Sequence, residues 1–214
     1  MVSPMSKRAI LFGCGWMMLS ISSFLAAQGG LSGPGTRSDG SAFDRYSGCK
    51  FSDELAVVET SPLALGIHER TVPTSKGPKQ VGLVEGRRVM FAYPGKDFYA
   101  NVKVEILPEK DYADTRQTLV DNFDYMLATS KDSTRNYELK PKLNGLDVRG
   151  LDKDKLEGGV LGIYVLLNDA SRIVTTIYFL NQEPKDRSFQ TIEEYRMARD
   201  RFLSTYTACI GTKH

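Results

Sequence analysis

Histidine, cysteine and tryptophan are scarce in this chain: two, three and one among 214 residues. The histidines are His68, in the run Ile67-His68-Glu69-Arg70, and His214 at the end. No His-Glu-x-x-His pair exists, which removes that zinc-protease pattern. Gly-x-Ser-x-Gly does not occur either, so there is no nucleophile elbow. A Ser-His-acid triad would have to use His68, with nothing local to support it. Gly77 and Gly82 have the first spacing of a phosphate loop, but Leu83 stands where lysine is required. Asp152, Asp154 and Glu157 lack the spacing of a calcium loop, and Lys153 and Lys155 offset their charge, so they read as a solvated charged turn. No metal ligand set and no cofactor motif is recognised. Paired carboxylates for sugar hydrolysis meet only in space, and nothing in the sequence favours them.

An excess of either charge is missing too. Lys and Arg total 28 against 26 Asp and Glu, and no long basic cluster is present. Phosphate backbones need such a field, so nucleic-acid binding is excluded as a reading.

What is present begins at the N-terminus. Lys7-Arg8 precedes a charge-free stretch from Ala9 to Ala27 that ends in Leu25-Ala26-Ala27. A cationic start, an apolar run and a small-residue exit are the layout of a secretory signal peptide, here residues 1–27. Cleavage near Ala27 would leave about 187 residues, enough for one domain with a sizeable core. Three alternatives stand beside this reading. One is a retained anchor with the body outside the cytoplasm, because the run approaches the ~20 residues that span a bilayer. Another is a lipid-attachment box at Leu11-Phe12-Gly13-Cys14, and the third is an ordinary buried helix. Loss of Lys7 and Arg8 would balance bases and acids at 26 each.

Export also changes the cysteine arithmetic. Cys14 leaves with the signal, and Cys49 and Cys209 remain near the two ends of the body. An even pair in an oxidising compartment points to a disulfide. It would close a loop of about 160 residues, for which the chain-entropy model gives roughly 5 kcal/mol.

Residues 28–47, rich in Gly and Ser, read as a flexible tether, and a single domain is expected over 48–210. Ile67 to Val72 and Val81 to Val84 look like strands. Glu85-Gly86 is then expected to turn the chain into Arg88 to Tyr93. Phe98, Ala100, Val102, Val104 and Ile106 alternate with polar residues and Tyr99, the period of a half-buried strand. Asp111 to Thr129 carries a helical stripe of Leu119, Phe123, Met126 and Leu127. Asn144-Gly145 suits a tight hairpin turn between Tyr137–Leu143 and Leu146–Arg149, with Pro141 marking an edge strand. Val160 to Leu167 and Ile173 to Leu180 are expected to be adjacent central strands. Thr191-x-x-Glu194 opens a last helix as a capping box. Tyr195, Ala198, Phe202, Tyr206 and Cys209 share one face of it, at gaps of 3, 4, 4 and 3. Strands, helix, strands, helix make an α+β fold: an antiparallel sheet with two main helices packed on it.

One surface segment stands out. In Tyr93-Pro94-Gly95-Lys96-Asp97-Phe98-Tyr99, aromatics flank a Pro-Gly turn, so Tyr93, Lys96 and Tyr99 are candidate partner-binding residues.

Taken together, the chain from about Gly82 to Tyr206 resembles the Mog1/PsbP-like family, which includes bacterial envelope proteins of the DcrB type. The likeness lies in Val89-Met90-Phe91-Ala92-Tyr93-Pro94, in Asn101-Val102-Lys103-Val104-Glu105-Ile106, and in the helix through Leu119 and Phe123. It continues through the Asn144-Gly145 turn, the apolar hairpin from Val160 to Leu180 and the final helix. The resemblance implies an α/β/α sandwich used for binding or assembly, with no catalytic constellation to carry over. The segment Cys49 to Val81 and the two cysteines are additional to that pattern. The combined expectation is an exported, non-enzymatic module, periplasmic or secreted, that binds an envelope or other extracytoplasmic partner. Two other readings stand beside it: an extracytoplasmic hydrolase using dispersed acids or His68, and a carrier of a small apolar ligand.

Overall fold

The computed structural model describes residues 43, 45, 46, 48–51, 63–96, 98–131, 133–135, 142–181 and 187–211. The export segment, the tether as far as residue 42, and the strand expected before the Asn144-Gly145 turn, up to and including Pro141, lie outside the described residues; Leu143 bridges Leu146 across the turn. Among those described, no helix is long and apolar enough to cross a membrane.

Seven strands and two helices follow one another along the chain. They are β1 (Leu63–Val72), β2 (Lys79–Ala92), β3 (Phe98–Ile106), α1 (Glu109–Thr129), β4 (Ser133–Arg135), β5 (Asp147–Lys153), β6 (Val160–Asn168), β7 (Ile173–Leu180) and α2 (Ile192–Ile210). The strands form one sheet in the order β1-β2-β3-β7-β6-β5-β4, and every neighbouring pair is antiparallel. The α+β class expected from the element order is therefore observed. β6 and β7 pair directly, and β7 lies at the middle of the sheet. The turn before β5 has left-handed backbone at Asn144 (φ 49) and Gly145 (φ 81), the geometry a tight antiparallel turn requires.

Glu85-Gly86 is a correction. No turn forms there: β2 runs straight through, pairing Gly86 with Gly66 on one side and with Glu105 on the other. Ladder hydrogen bonds to two neighbouring strands outweigh the local turn preference of one glycine.

Alternate strand positions face opposite sides of a sheet, and they feed two separate cores. Val102, Tyr164, Leu166, Ile177 and Phe179 join Tyr195, Phe202, Leu203 and Tyr206 of α2. Val165, Leu167 and Val174 join Leu119 and Phe123 of α1. Phe202 is the hub of the first core, with its ring 4.9–5.9 Å from those of Phe51, Phe91, Tyr99, Phe179 and Tyr206.

Cys49 and Cys209 are joined by a disulfide, with their Cα atoms 5.8 Å apart. The bond fastens an N-terminal strap to the end of α2. Phe43, Tyr46 and Cys49 are buried in the first core. Tyr206 donates its hydroxyl to the Tyr46 carbonyl at 2.9 Å, and Arg45 donates to the Gly211 carbonyl at 2.7 Å. The folded core thus takes in Phe43, ahead of the expected start at 48, because two aromatic side chains upstream of Cys49 find apolar cover.

Candidate functional site

A groove of about 460 Å³ lies between the β2–β3 turn and the first half of α2. Each wall has a local cause. Pro94-Gly95 makes the turn: Lys96 N–H donates to the Tyr93 carbonyl at 3.0 Å, and Gly95 takes the left-handed φ of 67°. The opposite wall starts at the expected capping box. Glu194 N–H donates to Thr191 Oγ1 at 3.1 Å, and the Glu194 carboxylate accepts from the Gln190 and Thr191 amides at 2.7 and 3.3 Å. Beyond this cap, Met197, Ala198 and Arg201 line the groove. Phe189 closes one end. Asn181 holds its backbone from both sides, accepting from Phe189 N–H at 3.2 Å and donating to its carbonyl at 3.1 Å.

Tyr93 and Lys96, two of the three candidates, line this groove. Tyr99, the third, does not. It is only 2% exposed and stacks beneath Tyr93, ring centroids 4.6 Å apart. The cause is a shift in register: Phe91 pairs with Ala100, but Ala92 pairs with Phe98, leaving Tyr99 as an extra residue. That bulge resets the alternation and turns Tyr99 into the first core. Tyr99 is thus a support for Tyr93 and no surface contact.

The other face of α2 is fixed by a buried acid. Asp152 is 1% exposed. It accepts from the hydroxyls of Tyr164 at 2.8 Å and Tyr195 at 2.7 Å, and it is ion-paired to Arg199. Gly150 leaves room for the Tyr164 ring, and Gly162 for the Tyr195 hydroxyl and the Asp152 carboxylate; a Cβ at either position would collide with them. Burial pushes the Asp152 carboxyl above its ordinary 3.8, and its hydrogen bonds and the Arg199 charge offset only part of that. Burial, and then the Asp152 charge, push the Tyr195 hydroxyl well up. Tyr195 and Arg199 belong to the same helical turns as Glu194, Met197, Ala198 and Arg201, so this node positions the groove wall.

Asp152 is therefore no member of a solvated charged turn. The signal was available: Val148, Gly150 and Asp152 occupy alternate positions of one strand, and Val148 is apolar. Of that trio Asp154 and Glu157 are exposed as expected. His68 lies in β1 opposite Val84, and its side chain falls outside what the structure describes.

A second crevice, of about 420 Å³, lies where the β1–β2 loop meets α1. Its contacts are polar: Lys79 pairs with Asp114 at 2.7 Å, Ser75 Oγ donates to Asp121 at 2.8 Å, and Asn122 donates to the Pro73 carbonyl at 2.6 Å. Among the described residues no group of three or more His, Cys, Asp or Glu could hold a metal ion. No family model, curated protein or solved structure matches the chain.

Proposed function

We propose that this chain is an exported, non-enzymatic binding or assembly module of the cell envelope or extracellular space. Its fold is read as an α/β/α sandwich of the Mog1/PsbP-like kind, with one helix on each face of the sheet. The observation that carries the reading is the groove between Tyr93-Pro94-Lys96 and α2. It is partly apolar, it contains Met197, which is 62% exposed, and it rests on a buried, hydrogen-bonded foundation. An exposed apolar side chain in a groove with a rigid floor suits recognition of a partner. The Cys49–Cys209 bond fits an oxidising compartment.

Affinity capture from envelope extracts tests this reading. Tagged wild-type chain, Met197→Asp and Tyr125→Asp are compared. Both substitutions fall on exposed helix positions, so stability should change by no more than about 0.5 kcal/mol. The expected result is at least one protein held by wild type and Tyr125→Asp and lost from Met197→Asp. Equal capture by all three would overturn the assignment of the groove.

A further inference from the structure

The groove carries one group whose chemistry recognition does not use: the thioether of Met197. Of the seven methionines, Met1, Met5, Met17 and Met18 lie outside the described residues. The other three have different surroundings. Met90 is half-buried in β2, where it pairs with Asn101. Met126 is half-buried in α1 and packs against the second core. Met197 is exposed on α2 and lines the groove with Tyr93, Phe189 and Ala198. Oxidation of a thioether follows access to its sulfur, and Met197 is the most open of the three. Leucine at this position would give similar helix propensity and apolar area without a reactive sulfur.

We propose that Met197 is an oxidative modification site through which the groove is switched off, an inference that rests on the reading just given. The co-reactant is a two-electron oxidant of the peroxide class. The sulfur lone pair attacks one peroxide oxygen and the O–O bond breaks. Sulfur keeps that oxygen and is oxidised by two electrons; the other oxygen takes up the proton and leaves as water. A polar, chiral sulfoxide then replaces an apolar, flexible side-chain end. A partner surface laid over it must strip water from the new oxygen, a cost the thioether does not impose. The fold itself is spared. Tyr195 and Arg199, two residues away on either side, reach the buried Asp152, whereas Met197 lines the groove. The same reaction at Met126 would set a polar oxygen against the second core.

Methionine-methyl NMR of the disulfide-bonded full-length chain follows hydrogen peroxide treatment site by site. Signals are assigned with Met90→Leu, Met126→Leu and Met197→Leu variants. The Met197 thioether signal should vanish about five-fold faster, or more, than those of Met90 and Met126. Once Met197 is converted, the melting temperature should fall by no more than about 2 °C, as for a change at an exposed position. Capture from envelope extracts is then repeated with this sulfoxide form and with a Met90→Leu, Met126→Leu double variant treated in the same way. Each should hold about five-fold less, or lower still, of the protein that untreated wild type holds and Met197→Asp loses. Three results overturn the inference and leave the groove reading intact: reaction of Met90 or Met126 ahead of Met197, a larger fall in melting temperature, or equal capture before and after peroxide. If untreated wild type holds no such protein, the groove reading fails and the switch falls with it, whatever the order of oxidation.

Discussion

The two sides of the sheet are stabilised by different means. On the α2 side, aromatic rings surround Phe202, a carboxylate is buried under two tyrosines and an arginine, and a disulfide ties the strap to the helix end. On the α1 side the apolar core is smaller, and the helix is also held by an arginine that pairs with one buried and one exposed carboxylate. Arg116 bridges Asp169 at 2.8 Å and Asp147 at 2.6 Å, and Tyr112 donates to Asp169 at 2.6 Å. The helix starts differ as well: Thr191 opens α2 with a full capping box, and Pro108 precedes α1 with no side-chain cap. Surface charge pairs contribute little each, whereas buried aromatic packing contributes several kcal/mol per ring. The groove stands on the side that is harder to deform.

The largest expected effect comes from removing the covalent tie. Cys49→Ser with Cys209→Ser should cost about 5 kcal/mol in urea unfolding followed by far-UV circular dichroism, the value for closing a loop of this length. A loss below about 1 kcal/mol would mean that the strap docks without help from the bond. Next come the two phenylalanines. Phe202→Ala and Phe123→Ala should both be costly, at roughly 3–5 kcal/mol, with Phe202 near the top of that range and Phe123 near its foot. Equal losses would remove the contrast between the cores.

Acid separates the two sides in sign. A carboxyl that ionises less readily when folded takes up protons on folding, and one that ionises more readily releases them. Burial raises Asp152, so wild type should gain on Asp152→Asn as pH falls through the raised folded value, with the gain complete below the ordinary 3.8. Asp169 moves the other way. Burial pushes it up, but the hydrogen bonds from Arg116 and Tyr112 and the charges of Arg116 and Lys142 outweigh that. The advantage of wild type over Asp169→Asn should be full above 3.8 and fade as pH falls through the depressed folded value. Melting temperatures of the three proteins from pH 7 to pH 3 check both slopes; parallel curves would refute the contrast.

Much of this organisation was legible in the sequence. Apolar periodicity locates both helices, the capping box marks the start of α2, and Asn144-Gly145 marks its turn, because each is a local effect of backbone geometry. The Cys49–Cys209 pair follows from counting cysteines once Cys14 is set aside with the expected signal. The departures are non-local. Glu85-Gly86 becomes strand because neighbours on both sides supply hydrogen bonds. A bulge buries Tyr99, and no periodicity argument contains a bulge. Asp152 looks solvated beside Lys153, Asp154 and Lys155 until Tyr164, Tyr195 and Arg199 arrive from a different strand and from α2. The groove is of the same kind, since Tyr93 and Lys96 acquire Met197 and Arg201 only through the packing of α2 beside the turn.

The central proposal is that a partner is met on the α2 side, at the groove beside Met197. Met197 and Tyr125, one on each helix, are the exposed large apolar residues among those described. Replacing each in turn with a benzophenone-bearing amino acid and irradiating intact cells compares the two sides directly. The account predicts a discrete cross-linked adduct from position 197 and none from position 125. An adduct from position 125 with none from position 197 would contradict it.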